Sequence, residues 1–229
     1  MTADSSSLPH RPGPFDPFLR PRLNMVRDQL RPRRISDPRV LDAMAAVPRE
    51  LFMPPALREL AYSDQAVAIG EGQTISQPFI VAYMTEQLAI EPHHRVLEVG
   101  TGSGYQAAVL AKLAGHVFSI ERIDLLQRRA EKTLADLHIS HIKLGLGDGS
   151  MGWTEHAPYD RIIVTAGAPT VPPELIAQLA AGGRLIIPVG NGNDQRLIAV
   201  CRLDDRTVET PLLECRFVRL VGAAGWSGN

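Results

Sequence analysis

Short apolar runs rich in valine and isoleucine alternate with helical stretches in the second half of the chain. The runs are RVLEVG (95–100), HVFSIE (116–121), HIKLGLGDG (141–149), RIIVTAG (161–167) and RLIIPVG (184–190). Helical spacing separates the first three runs, at 105–114 and 124–138, and predicts another helix at 173–181. Because this alternation is typical of strands joined by crossover helices, we predict an α/β fold whose mostly parallel sheet carries helices on both faces.

The two ends of the chain follow other patterns. After the turn signal NGND, the segments RLIAVCRL (196–203) and LECRFVRLVG (213–222) predict an antiparallel addition to the sheet. Before the first run, we expect helices at 24–30 and after Asp37-Pro38, and a brief strand at 62–69. The chain should therefore carry an N-terminal helical extension ahead of its sheet.

The length of 229 residues fits one α/β domain better than two. We place that domain at 23–222, with a helical, substrate-side part at 23–93 and a cofactor-binding sheet at 94–222. The Pro-rich arm at 1–22 is expected to be disordered, and 223–229 form a C-terminal tail.

Composition excludes several classes of partner. A net charge of −1 gives no reason to expect nucleic acid or a membrane surface, and no apolar run approaches the roughly 18 residues of a membrane span. The N-terminus lacks the apolar core of a secretory signal. Cys201 and Cys215 are too few for a disulfide framework, so we expect a cytoplasmic protein. The scattered histidines predict no metal site, and we expect a monomer.

A glycine-rich loop follows the first run of the sheet. Gly100-Thr101-Gly102-Ser103-Gly104 lets the backbone turn sharply and lets a ligand approach closely at the carboxyl ends of the strands. Residues 102–107 also fit the dinucleotide pattern G-x-G-x-x-A, and Glu121 follows Gly102 by 19 residues, where an acid can bind ribose. The loop by itself therefore leaves two classes of cofactor open.

Acidic residues at three strand ends favour one of these classes. Glu98 lies just before the glycines, where it would repel a pyrophosphate but suit a cationic amino group. Glu121 ends the second run, and Asp148 in Gly147-Asp148-Gly149 could accept from the amine of adenine. Each acid alone could be a capping, surface or turn residue, but together they favour S-adenosylmethionine, which carries an amino group, a ribose and an adenine.

Six longer segments resemble one known family. They are VPRELFMPP (47–55), AYSDQAVAIGEGQTISQP (61–78), VLEVGTGSGYQ (96–106), GDG (147–149), PYDRIIVTAGAP (158–169) and GGRLIIPVG (182–190). With them the chain resembles the protein-L-isoaspartate O-methyltransferases over about 24–222. The resemblance implies a Rossmann-like class I methyltransferase with a seven-stranded sheet. It also implies methyl transfer from S-adenosylmethionine to the free α-carboxylate of L-isoaspartyl residues in damaged proteins, which begins their repair.

The resemblance also implies roles for individual residues. Ser76 would be the active-site residue, and Val218 would pair by its backbone with the substrate. The cofactor-binding positions would be Thr74, Ile75, Glu98, Val99, Gly100, Thr101, Gly102, Glu121, Asp148 and Gly149. Two positions depart from the family pattern: Arg219 stands where many relatives have proline, and Val81 where some members have histidine. The substrate edge is therefore expected to differ, and no histidine role transfers.

The segment GQTISQP (72–78) fits the implied role physically. Pro78 suits the first turn of a helix that Ser76 or Gln77 could cap, and a helix start favours a bound carboxylate. No G-x-S-x-G motif surrounds Ser76, so we interpret it as a positioning hydroxyl and not a nucleophile. Two alternatives stay open: a methyltransferase for a small molecule or RNA, and a non-catalytic module that keeps the fold.

Overall fold

Nine strands and six α-helices are formed by residues 16–192, 194–204 and 206–228, the part of the chain that the computed structural model describes. The strands are β1 (Val67–Gly70), β2 (Gln73–Ile75), β3 (Arg95–Val99), β4 (His116–Glu121), β5 (Ile142–Leu146), β6 (Tyr159–Val164), β7 (Leu179–Asn191), β8 (Asp194–Arg202) and β9 (Thr207–Cys215). The helices are α1 (Leu19–Met25), α2 (Pro38–Ala46), α3 (Pro78–Gln87), α4 (Tyr105–Ala111), α5 (Asp124–Asp136) and α6 (Pro173–Ala177).

Seven strands form the main sheet, in the order β5-β4-β3-β6-β7-β8-β9. The first five in this order are parallel, and β8 and β9 add antiparallel strands at one edge. The predicted mostly parallel, seven-stranded sheet with an antiparallel C-terminal addition is thus confirmed. The order changes direction at β3, so β4 and β6 flank it and a crevice opens at their carboxyl ends.

Alternating side chains of the central strands supply cores on both faces of the sheet. Val96 packs into the cluster that holds the N-terminal helices, whereas the next residue, Leu97, packs into the cluster around α6. On α5, Leu126, Ala130 and Leu134 are buried at intervals of four residues, the spacing that keeps one helix face on the sheet. Helices therefore cover both faces, as predicted.

The N-terminal extension begins earlier than the sequence indicates. Helix α1 starts at Leu19, inside the predicted disordered arm, and Arg22 is buried, with its guanidinium donating to the Tyr62 hydroxyl at 2.9 Å and to Asp16 at 2.7 Å. The predicted arm boundary at residue 22 is corrected to that extent, while the rest of the arm, residues 1–15, lies outside the described residues. Helix α2 begins as expected, with Asp37 accepting from the Arg39 amide at 2.9 Å.

Two predicted strands are placed differently. The brief strand expected at 62–69 is β1, which forms a two-stranded hairpin with β2 inside the GQTISQP segment. The strand expected at 213–222 is wrong for most of its length, because β9 ends at Cys215 and the following residues are irregular, with Arg219 in an isolated bridge to Gly167. The apolar residues of that segment line a pocket, described below, and pack into the core cluster around α6.

Helices of the described residues are all too short or too polar to cross a membrane. Within the same ranges, no three His, Cys, Asp or Glu side chains gather as metal ligands would. The expected absence of a metal stays a prediction.

Candidate active site

A pocket opens at the carboxyl ends of β3, β4 and β6, where the strand order changes direction. Its walls include Glu98 and Val99 from β3, Ile120 and Glu121 from β4, and Thr165 directly after β6. Side chains from outside the sheet close the pocket: the β2 segment on one side and residues 218–221 on the other. It lies at the place where open α/β sheets bind ligands.

The glycine loop between β3 and α4 forms the floor of this pocket. Gly100 has φ +97° and Gly102 has φ +53°, backbone conformations that residues with a Cβ rarely adopt. At Gly100 a Cβ would also lie 2.5 Å from Oγ1 of Thr165. Thr165 in turn donates to the Gly100 carbonyl at 2.7 Å, so the loop depends on glycine for both conformation and space.

Glu98 presents an unpaired oxygen to the pocket. Its side chain is fully buried, and its Oε2 accepts from the Ser119 hydroxyl, which lies 2.6 Å from Oγ1 of Thr101. Oε1 has no hydrogen-bond partner among the described residues. Burial raises the pKa of Glu98 to about 8, with a smaller contribution from Glu121, although the Ser119 hydroxyl opposes the shift. An orphaned, buried acceptor beside a pocket is suited to a ligand with a cationic donor.

Glu121 ties the tip of β4 to the glycine loop. Its Oε2 accepts from the Gly102 amide at 2.9 Å, and its Oε1 accepts from the Arg122 and Ile123 amides at 2.8 and 2.9 Å. The carboxylate lines the pocket and fixes the loop at the same time. Because Oε2 has only one protein donor among the described residues, it retains a lone pair for a hydroxyl of a ligand.

Asp148 is engaged inside the protein. Its Oδ1 accepts from the amide and the hydroxyl of Ser150 at 2.9 and 2.6 Å, and its Oδ2 accepts from the Ala223 amide at 2.7 Å. Although partial burial raises it, these hydrogen bonds hold the pKa of Asp148 below its ordinary value. The pocket wall is formed by the neighbouring Gly149 and not by Asp148 itself. The carboxylate thus links the end of β5 to the C-terminal segment.

The hairpin segment that ends in Ser76 forms one side of the pocket. Thr74, buried Ile75 and half-buried Ser76 all line it. Arg49 anchors the segment from below: its Nη2 donates to the Ser76 carbonyl at 2.7 Å and its Nε to the Ala61 carbonyl at 2.7 Å. Arg49 is itself fully buried and stacks on the ring of Tyr105 at 4.9 Å. Burial lowers the pKa of Arg49 to about 10, which leaves the guanidinium charged at neutral pH.

Helix α3 starts directly after this segment, but without the predicted cap. Gln77 is the N-cap residue and makes no side-chain hydrogen bond to the helix. Its side-chain amide Nε2 donates instead to Oδ1 of Asp64 at 2.8 Å. Among the described residues, the Ser76 hydroxyl also has no hydrogen-bond partner, so the capping predicted for Ser76 or Gln77 is corrected. The Ser76 hydroxyl is left free for a ligand. Val81 is buried and gives the pocket an apolar wall.

The opposite side of the pocket is an irregular chain segment beside Gly167. The Gly167 amide donates to the Val218 carbonyl at 2.7 Å, and the Leu220 amide donates to the Gly167 carbonyl at 2.8 Å. Val218 thus lines the pocket, but its carbonyl is already used. Within the part of the chain that the structure describes, the amide and carbonyl of Arg219 have no backbone partner. The free edge expected at Val218 is therefore presented by Arg219.

Most of the predicted site residues meet in this pocket. They are Thr74, Ile75, Ser76, Glu98, Val99, Gly100, Thr101, Gly102, Glu121, Gly149 and Val218, whereas Asp148 lies behind Gly149. The sequence reasoning assigned no role to Thr165, Tyr105 or Arg49. Thr165 could have been found, since it follows a strand of the sheet; the partners of Arg49 lie 12 and 27 residues away and leave no local signal.

Comparison with known proteins agrees with this geometry. The family model for protein-L-isoaspartate(D-aspartate) O-methyltransferase (PCMT) matches residues 22–225. A protein-L-isoaspartate O-methyltransferase of Syntrophus aciditrophicus is 50% identical over 217 residues, covering 93% of this chain and 100% of that protein. A protein of the same description from Methanoculleus marisnigri is 50% identical over 214 residues, covering 93% and 97%.

Two solved structures extend the similarity to the fold. One, described as a protein-L-isoaspartate O-methyltransferase, has a TM-score of 0.80 and 30% identity, covering 89% of this chain and 67% of that chain. The other, from Plasmodium falciparum, is described as a candidate enzyme of the same kind in complex with S-adenosyl-L-homocysteine. It has a TM-score of 0.75 and 26% identity, covering 86% and 96%.

Proposed function

The chain belongs to the protein-L-isoaspartate O-methyltransferase family, and from this premise we propose how its site acts. It transfers a methyl group from S-adenosylmethionine to the free α-carboxylate of L-isoaspartyl residues in damaged proteins and peptides, and so begins their repair. The observation that carries the proposal is one pocket that unites the unpaired oxygen of Glu98 with the free hydroxyl of Ser76. The first suits the cationic end of the donor, and the second suits an anionic acceptor.

We assign the donor to the strand tips. S-adenosylmethionine, when bound, supplies a methyl group on a positively charged sulfur. Glu98 would receive its amino group, Glu121 its ribose, and the backbone beside Gly149 its adenine, with Val99, Gly100, Thr101 and Gly102 holding the methionine end. The glycine loop supports this assignment because its glycines let the backbone line the pocket between the two acids, together with Thr101 and Ser103.

Asp148 contributes to the same assignment in a revised way. Its two oxygens already bind Ser150 and Ala223, so any contact with the adenine amine would be added to an existing network. We propose that its main role is to hold the C-terminal segment against the pocket. The carboxylate of Asp148 would then link the donor side of the pocket, at the strand ends, to the C-terminal segment on the acceptor side.

The acceptor needs little activation. A free carboxyl has a pKa of about 4, so the isoaspartyl carboxylate is ionised at neutral pH and requires no strong general base. Ser76 donates to it and aims one oxygen along the line of displacement, while Thr74 and Ile75 line the junction of donor and acceptor. Orientation of this kind can be worth about 7–11 kcal/mol. The apolar wall of Ile75, Val81 and Met84 excludes water from the carboxylate.

The peptide around the isoaspartate is held through its backbone. An exposed edge that pairs with an extended peptide tolerates many sequences, as a repair enzyme must. The unpaired amide and carbonyl of Arg219 support this mode, with Val218 contributing its side chain to the pocket wall. A cytoplasmic location is also part of the proposal, supported by Cys201 and Cys215, neither of which is in a disulfide.

The decisive experiment supplies labelled S-adenosylmethionine together with two peptides that differ only in an aspartyl or an isoaspartyl linkage. We expect label in a base-labile ester of the isoaspartyl peptide alone. Equal labelling of both peptides would refute the repair function and favour a broader carboxyl methyltransferase. Binding of S-adenosylhomocysteine without any turnover would instead indicate a non-catalytic module.

A further inference from the structure

Arg219 places an exposed cation at the mouth of the pocket. Its guanidinium carbon lies 5.2 Å from the centre of the Trp226 ring, an arrangement in which the ring attracts the positive charge. Trp226 is itself fixed, because its Nε1 donates to the Gly167 carbonyl at 2.9 Å. The side chain of Arg219 therefore rests on a held ring next to the backbone that faces the substrate.

The exposed charged side chains at this mouth are those of Arg219 and Arg122. Among the described residues, Arg219 forms no ion pair with a carboxylate, and neither does Arg122, which also lines the pocket. The acids of the pocket are Glu98, which is fully buried beside Ser119, and Glu121, whose oxygens accept from three backbone amides. Neither acid forms an ion pair with Arg219, and Asp148, whose charge acts on Arg122, is bound to Ser150 and Ala223. At Arg219 a bound peptide therefore meets a guanidinium that has no carboxylate partner among the described residues.

Backbone pairing would bring one substrate side chain close to this cation. When two extended segments pair, residues directly opposite each other place their side chains on the same face, with Cβ atoms about 4.5–5.5 Å apart. A peptide paired with the free amide and carbonyl of Arg219 would thus hold one of its residues beside the guanidinium. Opposite charges in such a pair are favourable and like charges are unfavourable.

We propose that Arg219 is a specificity-determining residue, which makes the enzyme prefer isoaspartyl peptides that carry an additional aspartate or glutamate next to the isoaspartate. The inference rests on the proposed function and names the substrate class of that same site. The partner of Arg219 is a flanking acidic side chain, whereas the isoaspartyl carboxylate itself goes to Ser76. The preference belongs to peptide recognition and not to methyl transfer.

The test uses three peptides with one isoaspartate each, flanked on both sides by glutamate, by glutamine or by lysine. For the natural enzyme we expect kcat/KM to fall in that order, by about three- to fivefold at each step, as a single cross-strand charge pair allows. Arg219→Gln should bring the three values together, Arg219→Lys should keep the order, and Arg219→Glu should reverse it. Arg206→Gln, which removes an exposed arginine away from the pocket, is the matched control and should keep the wild-type order.

Ionic strength gives a second readout. Because the pair is exposed, raising the salt concentration from about 0.1 M to 1 M should compress the differences between the peptides in the natural enzyme. Equal kcat/KM for the three peptides, or a preference that survives Arg219→Gln, would overturn the inference while the glutamine peptide still reports the repair activity. Failure of all three peptides to accept methyl groups would overturn the proposed function along with it.

Discussion

Replacing Glu98 with glutamine separates the charge of this side chain from its shape. The carboxylate is fully buried, one oxygen accepts from Ser119, and the other has no partner among the described residues. Burial raises its pKa to about 8, so at neutral pH most unliganded molecules carry a protonated Glu98. A cationic amino group would bind the ionised form, and binding below pH 8 should therefore release a proton.

The size of the pH effect follows from that pKa. At pH 6.5, about 1.5 units below it, deprotonation costs about 2 kcal/mol at 1.36 kcal/mol per unit, or roughly 30-fold in affinity. Above pH 8 the cost disappears. A hydrogen bond to a charged group contributes about 1.5–3 kcal/mol, and Glu98→Gln cannot make this bond at any pH. In the natural enzyme the deprotonation cost at pH 6.5 offsets most of this contribution. The variant should therefore bind about 10- to 150-fold more weakly than the natural enzyme at pH 8.5, but nearly equally at pH 6.5.

Isothermal titration with S-adenosylhomocysteine at pH 6.5, 7.5 and 8.5 measures this difference. Titration in two buffers with different ionisation enthalpies reports the released proton directly. Glu131→Gln, which removes an exposed glutamate from α5, is the control and should follow the natural enzyme. A natural enzyme whose affinity is constant over this range, or a Glu98→Gln variant that binds normally at pH 8.5, would refute the assignment of Glu98 to the amino group.

Unfolding of the unliganded protein tests the same pKa independently. Because the folded pKa of Glu98 lies above its ordinary value of 4.5, its contribution to stability is complete below pH 4.5 and is lost as the pH rises to about 8. At pH 7, about 2.5 units above the ordinary value, the loss is about 3 kcal/mol, which Glu98→Gln avoids. The unliganded variant should therefore melt at a higher temperature than the natural enzyme at pH 7, and a lower one would contradict the raised pKa.

Three further substitutions test other parts of the site. Ser76→Ala should lower kcat by about 10- to 100-fold while the affinity for S-adenosylhomocysteine stays constant, because a positioning hydroxyl acts on the acceptor; a parallel loss of both would mean that Ser76 is structural. Glu121→Gln should weaken cofactor binding by about tenfold and lower the melting temperature, since the carboxylate accepts from three backbone amides that include the glycine loop, and unchanged binding would exclude a ribose contact. Gly100→Ala should destabilise the fold by more than about 2 kcal/mol in urea unfolding, because φ is +97° and the new Cβ would meet Thr165, whereas Gly72→Ala, with φ +67° and open space, should cost only about 1 kcal/mol; equal losses would remove the steric argument.

The central sheet could be predicted from sequence because its strands are buried on both faces. Such strands appear as continuous apolar runs, and β3, β4 and β6 lie where those runs predict them. The last strand could not be placed in the same way. Most residues of β9 are exposed at the sheet edge, so its sequence carries little apolar signal, whereas the more apolar FVRLV after it is an irregular pocket wall. Hydrophobicity indicated burial correctly there, but not strand structure.

Some residues of the site could likewise be predicted from the sequence, and others could not. Glu98 and Glu121 could be predicted as pocket residues because the carboxyl ends of neighbouring parallel strands meet at one edge. The engagement of Asp148 could not, since its partner Ala223 lies 75 residues further along the chain. The same limit applies to the backbone edge at Arg219, which exists only because Gly167 occupies the carbonyl of Val218. Long-range hydrogen bonds between loops leave no periodic pattern in the sequence.

The position of the acceptor segment follows from the geometry of the reaction. In an in-line displacement the acceptor must approach the methyl group from the side opposite the sulfur, so strand tips that hold the donor cannot also present the acceptor. In this chain the acceptor side is a separate segment: Ser76 directly follows the hairpin of β1 and β2, and Arg49 holds it by donating to the Ser76 carbonyl. A buried charged group is costly, and Arg49 forms no ion pair with a carboxylate among the described residues; it donates instead to the backbone carbonyls of Ala61 and Ser76. The cost is consistent with a need to fix the backbone of Ser76 while its hydroxyl stays available to a ligand.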